Sequence, residues 1–157
     1  MGDPTFTLGI EEEYILVDLQ TFEPANVPAD MLDTCKTLLG DRVSPEFKTC
    51  QIEVGTGICP TIADARTELI ELRSGIRDIA ADHGLTPIAT SCHPFADWKQ
   101  IGQSDGDRYT DLADATGHVA RRMVTCGCHV HVGIGDDDLR IDLMNQFAYF
   151  LPHLLAL

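Results

Sequence analysis

Apolar and polar side chains alternate along residues 5–18 (TFTLGIEEEYILVD), and this period of two predicts a β-strand. One face of the strand would be apolar apart from Glu12. The other face would carry Glu11 and Glu13. Charged side chains inside an otherwise apolar strand are unfavourable unless each has a partner. The strand therefore raises the question of what stabilises three consecutive glutamates.

Helices are predicted where apolar side chains recur at steps of three and four. The clearest one begins after Pro60, where Thr61 and Asp64 fit a capping box, and it stops at Gly84. The other predicted elements are helices over residues 31–39, 107–124 and from 136 to the C-terminus, and strands over residues 50–54, 85–91 and 125–134. Interleaved strands and helices indicate an α/β or α+β fold, and the spacing alone does not distinguish parallel from antiparallel pairing.

Three of the predicted strands carry polar side chains at every second position. These are Glu11 and Glu13 on the first, Gln51 and Glu53 on the second, and His129 and His131 on the third. If the three strands are neighbours with these faces aligned, the acids and imidazoles converge on one surface. Crowded carboxylates take up protons unless a cation lies between them, and oxygen-rich clusters suit Mg²⁺ or Mn²⁺. The alternative is an ordinary solvated sheet face.

A zinc site is a second interpretation of residues 126–131, CGCHVH, with Cys92 and His93 as further candidate ligands. In a regular strand, however, Cys126 and Cys128 point away from His129 and His131. The C-x-C spacing also lacks a matching second pair of cysteines. We therefore favour the carboxylate cluster over zinc.

The formal net charge of −14 argues against nucleic acid or an anionic membrane as a partner. The N-terminus lacks a secretory signal, and no apolar stretch is long enough for a membrane helix. We therefore expect a cytoplasmic protein with reduced thiols. The sequence contains no P-loop and no G-x-G-x-x-G or G-x-S-x-G motif, so any ATP would be bound in another way.

Three segments resemble, in order and spacing, the bacterial carboxylate–amine ligase family, also described as type 2 glutamate–cysteine ligases. They are TFTLGIEEEYILVD, CQIEVGTGIC and CGCHVHVGI. The resemblance implies an α+β fold like the catalytic region of glutamine synthetase. In that fold, a curved and mostly antiparallel sheet is flanked by helices, and its concave face holds ATP and metal ions.

The resemblance also implies a reaction, in which ATP converts the γ-carboxyl group of glutamate into an acyl phosphate and the amine of cysteine displaces phosphate. It makes Glu11, Glu13, Glu53 and His129 metal ligands for Mg²⁺ or Mn²⁺. His131 and Gln51 are weaker candidates for cofactor binding. The expected partners are small molecules, namely amino acids and ATP, together with identical chains in a homo-oligomer such as a dimer.

Family members are considerably longer than this chain. We therefore expect residues 1–157 to be the N-terminal part of a single catalytic domain and to be inactive alone. A non-catalytic metal- or ligand-binding domain is the alternative.

Overall fold

The computed structural model of the chain describes residues 6–117, 119 and 122–157. Its strands are β1 (Phe6–Asp18), β2 (Val43–Pro45), β3 (Gln51–Gly55), β4 (Leu85–Ile88) and β5 (Cys128–Ile134). Its helices are α1 (Ala29–Leu39), α2 (Ile62–Asp82), α3 (Asp107–Thr116), α4 (Asp137–Phe147) and α5 (Leu151–Leu155), with short 3₁₀ turns at Gly40–Arg42 and Ala148–Phe150. No helix in this described part is long and apolar enough to cross a membrane.

The five strands form one sheet in which every pairing is antiparallel. The long strand β1 lies at its centre. Glu11 and Glu12 pair with both β3 and β5, so these two strands flank β1 on opposite sides. Strand β4 pairs with the C-terminal end of β1, on the same side as β5. The predicted α+β class with an antiparallel sheet is confirmed.

Helices α1 and α2 cover one face of the sheet at the C-terminal half of β1. Tyr14 and Leu16 point into this main core, where Leu72 and Ile76 of α2 are fully buried. The capping box predicted at Thr61 is present, since its hydroxyl group accepts a hydrogen bond from the Asp64 amide at 3.2 Å and the Asp64 carboxylate accepts from the Thr61 amide. Gly84 has φ of +70° and follows the end of α2, as expected for a helix stop.

A second, smaller apolar cluster covers the opposite face of the same half of β1. It contains the buried residues Ile15, Val17, Cys50 and Val124. The C-terminal half of β1 is therefore packed on both faces. The strand is more open from its N-terminal end to its middle, where Glu11 and Glu13 are both partly exposed.

Some predicted boundaries are wrong for identifiable reasons. Helix α3 ends at Thr116, because Gly117 adopts a φ of +57°. Residues 118, 120 and 121 of the predicted helix 107–124 lie outside the described residues. The last helix is interrupted near Pro152, which has no N–H to continue the hydrogen-bond ladder. Strand β2 was not predicted, because three residues are too few to show an alternation.

Candidate active site

The register of the sheet brings the polar side chains of three strands onto one face. Glu13 of β1 lies opposite Glu53 of β3, and Glu11 lies opposite His129 of β5. His131 lies opposite Gly9. Directly opposed residues in an antiparallel pair project to the same side, so the carboxylates and imidazoles share one surface.

The first group on this surface is Glu11 with the two histidines. His129 Nδ1 and His131 Nε2 lie 3.0 Å and 3.1 Å from the same oxygen, Oε2 of Glu11. Hydrogen bonds from both imidazoles lower the pKa of Glu11, and the hydrogen bond to Glu11 raises the pKa of His129. His131 is therefore as close to the carboxylate as His129, although the sequence had made it the weaker candidate.

The second group consists of Glu13, Glu53 and Glu46. One carboxylate oxygen from each lies within 4.8 Å of the other two. Glu46 was missed in the sequence, because it follows the three-residue strand β2 and belongs to no alternating segment. Ser44 of β2 donates a hydrogen bond to Glu53 Oε1 at 3.3 Å. Burial, and then repulsion from Glu46, raise the pKa of Glu53, with Glu11 and Glu13 adding to the repulsion.

The carboxylates and imidazoles of the two groups are suitable ligands for a divalent cation. Burial, and then repulsion from the neighbouring carboxylates, raise the pKa of Glu53, and a cation between the carboxylates would offset that repulsion. Carboxylate oxygens with one or two imidazoles are a ligand set for Mg²⁺ or Mn²⁺. Each group offers three ligand atoms within 4.8 Å of one another, so each is large enough for one ion.

An open cavity of about 310 Å³ adjoins the second group. Its lining residues are Glu13, Glu46, Phe47, Gln51, Tyr109, Thr116, Met123, Thr125, Gly127 and His129. The Tyr109 hydroxyl group donates to the Pro45 carbonyl oxygen at 2.9 Å, which ties α3 to the segment that carries Glu46. The cavity therefore offers room for a small substrate directly beside the carboxylates.

Glu12 points to the other face of the sheet and is 9% exposed. Its carboxylate receives hydrogen bonds from the guanidinium group of Arg73 on α2, with Nε at 2.8 Å, and from the hydroxyl group of Tyr14. The hydrogen bond from Arg73 lowers the pKa of Glu12. Glu11 and Glu13 thus face the candidate site, whereas Glu12 is paired with Arg73 on the core side of the sheet. The sequence did not identify Arg73 as the partner, because nothing local links residues 12 and 73.

The zinc interpretation requires thiols beside the imidazoles, and in the described residues the group of possible ligands that contains His129 and His131 is completed by Glu11 and not by a thiol. Strand β5 begins at Cys128, later than predicted, and Cys128 lies opposite Glu12. The sequence predicted that Cys126 points away from His129 and His131, and this prediction is wrong. Cys126 packs against the cluster containing Ile15, and its thiol lies 3.5 Å from Nε2 of Gln51. That nitrogen also donates to the Thr125 carbonyl oxygen at 2.7 Å, so the Gln51 amide anchors the segment before β5.

Gly127 lies against both candidate ligand groups. Its amide donates to Glu13 Oε2 at 3.0 Å, and a Cβ atom added there would lie 3.0 Å from Glu13 Oε1 and 3.1 Å from His129 Nε2. We expect Gly127→Ala to displace both side chains and to weaken Mn²⁺ binding about ten-fold, as measured by calorimetry. Gly135→Ala is the control, because an added Cβ meets no atom within 4 Å there. Equal affinities of the two variants would contradict the placement of Gly127.

Glu53→Gln should stabilise the metal-free chain at pH 7. A carboxyl group whose pKa is raised above its ordinary value of 4.5 favours folding when protonated, and this contribution is lost as the pH rises through the folded-state pKa. The neutral amide imitates the protonated form, so we expect the melting temperature to rise by about 1–3 °C. The difference should shrink towards low pH, and the stabilisation of the chain by Mn²⁺ should be smaller in the variant.

Glu71→Gln is the matched control for Glu53→Gln, because Arg42 lowers the pKa of Glu71. This substitution should not raise the melting temperature. A lower melting temperature for Glu53→Gln at pH 7 without metal would show that the carboxylates do not repel one another.

Comparisons with known proteins agree with this architecture. A profile of the glutamate–cysteine ligase family 2 matches residues 7–157. The chain is 54% identical over 155 residues to a protein of Paracoccus denitrificans, and 55% identical over 152 residues to one of Ruegeria pomeroyi. Both carry the provisional name glutamate–cysteine ligase 2. The matches cover 99% and 97% of this chain but only 41% and 40% of those relatives.

The fold is also similar to that of a solved structure, a glutamate–cysteine ligase from Francisella tularensis in complex with AMP. The TM-score is 0.67 at 20% sequence identity, and the match covers 93% of this chain and 30% of the Francisella chain. This likeness confirms the fold, and the profile match extends over almost the whole sequence. The chain belongs to the glutamate–cysteine ligase family 2.

Proposed function

We propose that the chain is the N-terminal part of the catalytic domain of an ATP-dependent carboxylate–amine ligase. The observation that carries the proposal is the pair of ligand groups on one sheet face, in a member of this family. The reaction would join the γ-carboxyl group of glutamate to the amine of cysteine. The chain spans about two fifths of the length of its curated relatives, so the rest of the catalytic site would come from the remainder of the protein.

In this proposal the side chains act by holding charge in fixed positions. Glu11 is oriented by His129 and His131, Glu13 by the Gly127 amide, and Glu53 by the Ser44 hydroxyl group. Bound Mg²⁺ or Mn²⁺ would neutralise negative charge on the phosphate oxygens of ATP. In this proposal these side chains are held in position before substrate binds, so little reorganisation would be needed during the reaction.

The proposed chemistry has two steps. An oxygen of the glutamate γ-carboxylate attacks the γ-phosphorus of ATP, ADP leaves, and an acyl phosphate forms. The cysteine amine then attacks the acyl carbon, phosphate leaves with the bonding electrons, and the nitrogen releases a proton to solvent as the amide forms. The cavity beside Glu13 and Glu46 provides space for one of the amino acids. The AMP bound in the Francisella protein supports a nucleotide site in this fold.

The proposal can be tested with a chimera in which residues 1–157 replace the matching segment of the Paracoccus relative, at 54% identity. We expect the chimera to form γ-glutamylcysteine from ATP, glutamate and cysteine with equimolar release of phosphate. The isolated chain should release none. A folded chimera that makes no amide with these substrates, while the parent protein does, would contradict the proposal. Whether the protein is cytoplasmic and forms a homo-oligomer such as a dimer stays a prediction.

A further inference from the structure

Gln51 is a buried polar side chain that lines the active-site cavity. It is 3% exposed, and it shares the cavity of about 310 Å³ with Glu13 and Glu46. On β3 it precedes Glu53 by two residues. Because alternate residues of a strand project to the same face, the Gln51 amide lies on the face that carries the carboxylates.

The nitrogen of the Gln51 amide fixes the orientation of the side chain. Nε2 donates a hydrogen bond to the Thr125 carbonyl oxygen at 2.7 Å, and it lies 3.5 Å from the Cys126 thiol. A carbonyl oxygen accepts hydrogen bonds and cannot donate them, so only the nitrogen end of the amide can face Thr125. The oxygen, Oε1, is therefore the end of the amide that is left for another partner.

Oε1 of Gln51 is an acceptor that no described residue uses. The hydrogen bonds of this side chain within the described part of the chain are those of Nε2. Oε1 is nevertheless not sealed inside the protein, because Gln103 Nε2 is the only sealed side-chain polar atom without a partner among the described residues. Since Gln51 lines the cavity, its acceptor is available to a ligand there, and such a ligand would satisfy it.

The acceptor and its surroundings indicate which ligand group can bind. An ionised carboxylate or phosphate only accepts hydrogen bonds, whereas an ammonium group carries three donors. The described residues that line the cavity include the carboxylates of Glu13 and Glu46 and no lysine or arginine, which favours a cationic group. A volume of about 310 Å³ is at the lower end of the range for small-molecule sites, so it suits an amino acid better than a nucleotide.

We propose that Gln51 Oε1 accepts a hydrogen bond from the α-ammonium group of the glutamate substrate. This inference rests on the proposed function, in which glutamate supplies the carboxyl group. The glutamate ammonium group keeps its charge through both steps, whereas the cysteine amine must be neutral when it attacks. An acceptor beside carboxylates favours the charged form of an amine, so it suits glutamate. Gln51 thereby distinguishes an α-amino acid from a simple dicarboxylate.

Glutarate lacks only the ammonium group of glutamate, so a comparison of the two ligands isolates this contact. Calorimetry measures the binding of each ligand to the Mn²⁺-loaded chimera without ATP. We expect the unsubstituted chimera to bind glutamate at least about ten-fold more tightly than glutarate. Gln51→Met should weaken glutamate binding at least about ten-fold and glutarate binding less than about two-fold.

Two further variants separate the contact from the anchoring of Thr125. Gln51→Glu loses the donor to Thr125 but keeps an oxygen acceptor, so it should keep the preference for glutamate. Gln100→Met is the matched control and should bind both ligands normally, because Gln100 is exposed and does not line the cavity. Equal weakening of both ligands in Gln51→Met would reduce Gln51 to a structural anchor and overturn the proposal. Equal binding of the two ligands by the unsubstituted chimera would overturn it without any variant.

The kinetics of the chimera distinguish the two amino acids. The KM for cysteine at saturating glutamate should be unchanged in Gln51→Met. A raised KM for cysteine with an unchanged affinity for glutamate would assign the contact to cysteine and overturn the proposal. The calorimetry does not depend on amide formation. A chimera that shows the predicted preference but makes no amide would contradict the ligase reaction, whereas one that makes the amide without the preference would contradict the role of Gln51.

Discussion

Glu11→Gln or Glu13→Gln should each lower the rate of amide formation by the chimera at least ~100-fold at saturating Mg²⁺. Each substitution preserves the size of the side chain and removes one negative charge from the face that would hold the cations. The loss of a charge positioned for the transition state typically has an effect of this size. Glu12→Gln should lower the rate less than ~10-fold, because Glu12 is directed to the opposite face of the sheet.

The three consecutive glutamates therefore serve as controls for one another. Turnover of the three single variants is the measurement, with melting temperatures taken in parallel to detect misfolding. Arg77→Gln is a further control, because Arg77 is exposed and, within the described residues, its ion pair is with the adjacent Asp78. Equal losses at positions 11, 12 and 13 would show that the alternation of β1 does not determine which carboxylates take part.

The second large effect is expected for stability. Arg73→Gln removes the cation that pairs with the largely buried Glu12 carboxylate and leaves Tyr14 as its remaining partner. Breaking a fully buried ion pair costs about 3–5 kcal/mol, and because the Arg73 side chain is half exposed we expect about 1–3 kcal/mol. For a chain of this size, that loss lowers the melting temperature by about 2–4 °C per kcal/mol.

The ion pair between Arg73 and Glu12 also predicts how the stability of the fold depends on pH. Arg73 lowers the pKa of Glu12 below its ordinary value of 4.5, so the pair stabilises the fold above that value. This stabilisation is lost as the pH falls through the folded-state pKa. The difference between the wild-type chain and Arg73→Gln should therefore be largest near neutral pH and should shrink in acid.

Arg77→Gln on the same helix is the matched control for this prediction and should change the stability by no more than about 0.5 kcal/mol. Urea unfolding at pH 7 and at pH 4 measures both variants. An unchanged stability of Arg73→Gln at pH 7 would mean that the Glu12 carboxylate finds enough compensation elsewhere.

Within the regular strands, the alternation of apolar and polar residues was sufficient to predict which side chains share a face. It assigned Glu11 and Glu13 to one side of β1 and Glu12 to the other, and it did the same for Glu53 and His129 on their own strands. Alternation does not reveal which strands are neighbours, because pairing depends on contacts far apart in the sequence. The antiparallel order came from the resemblance to a known family.

Two of the residues that sequence analysis missed or misplaced, Glu46 and Cys126, lie outside regular elements, whereas the third, Arg73, lies on α2. Glu46 follows a strand of only three residues, so no periodicity marked it. Cys126 departs from the alternation because its amide bonds to the Ser91 carbonyl oxygen at 3.1 Å instead of continuing β5. Arg73 reaches Glu12 across 61 positions of sequence. Each of these contacts is a property of tertiary packing rather than of a local pattern.

Direct binding of Mn²⁺ to the 157-residue chain tests the central claim. Electron paramagnetic resonance of free Mn²⁺ during a titration counts the bound ions. The two ligand groups predict saturable binding of two ions per chain. Because each group contains one of the two substituted glutamates, the Glu11→Gln/Glu13→Gln double variant should lose most of this binding and keep its fold. An absence of saturable binding, or binding that is undiminished in the double variant, would contradict the claim that this sheet face is a metal centre.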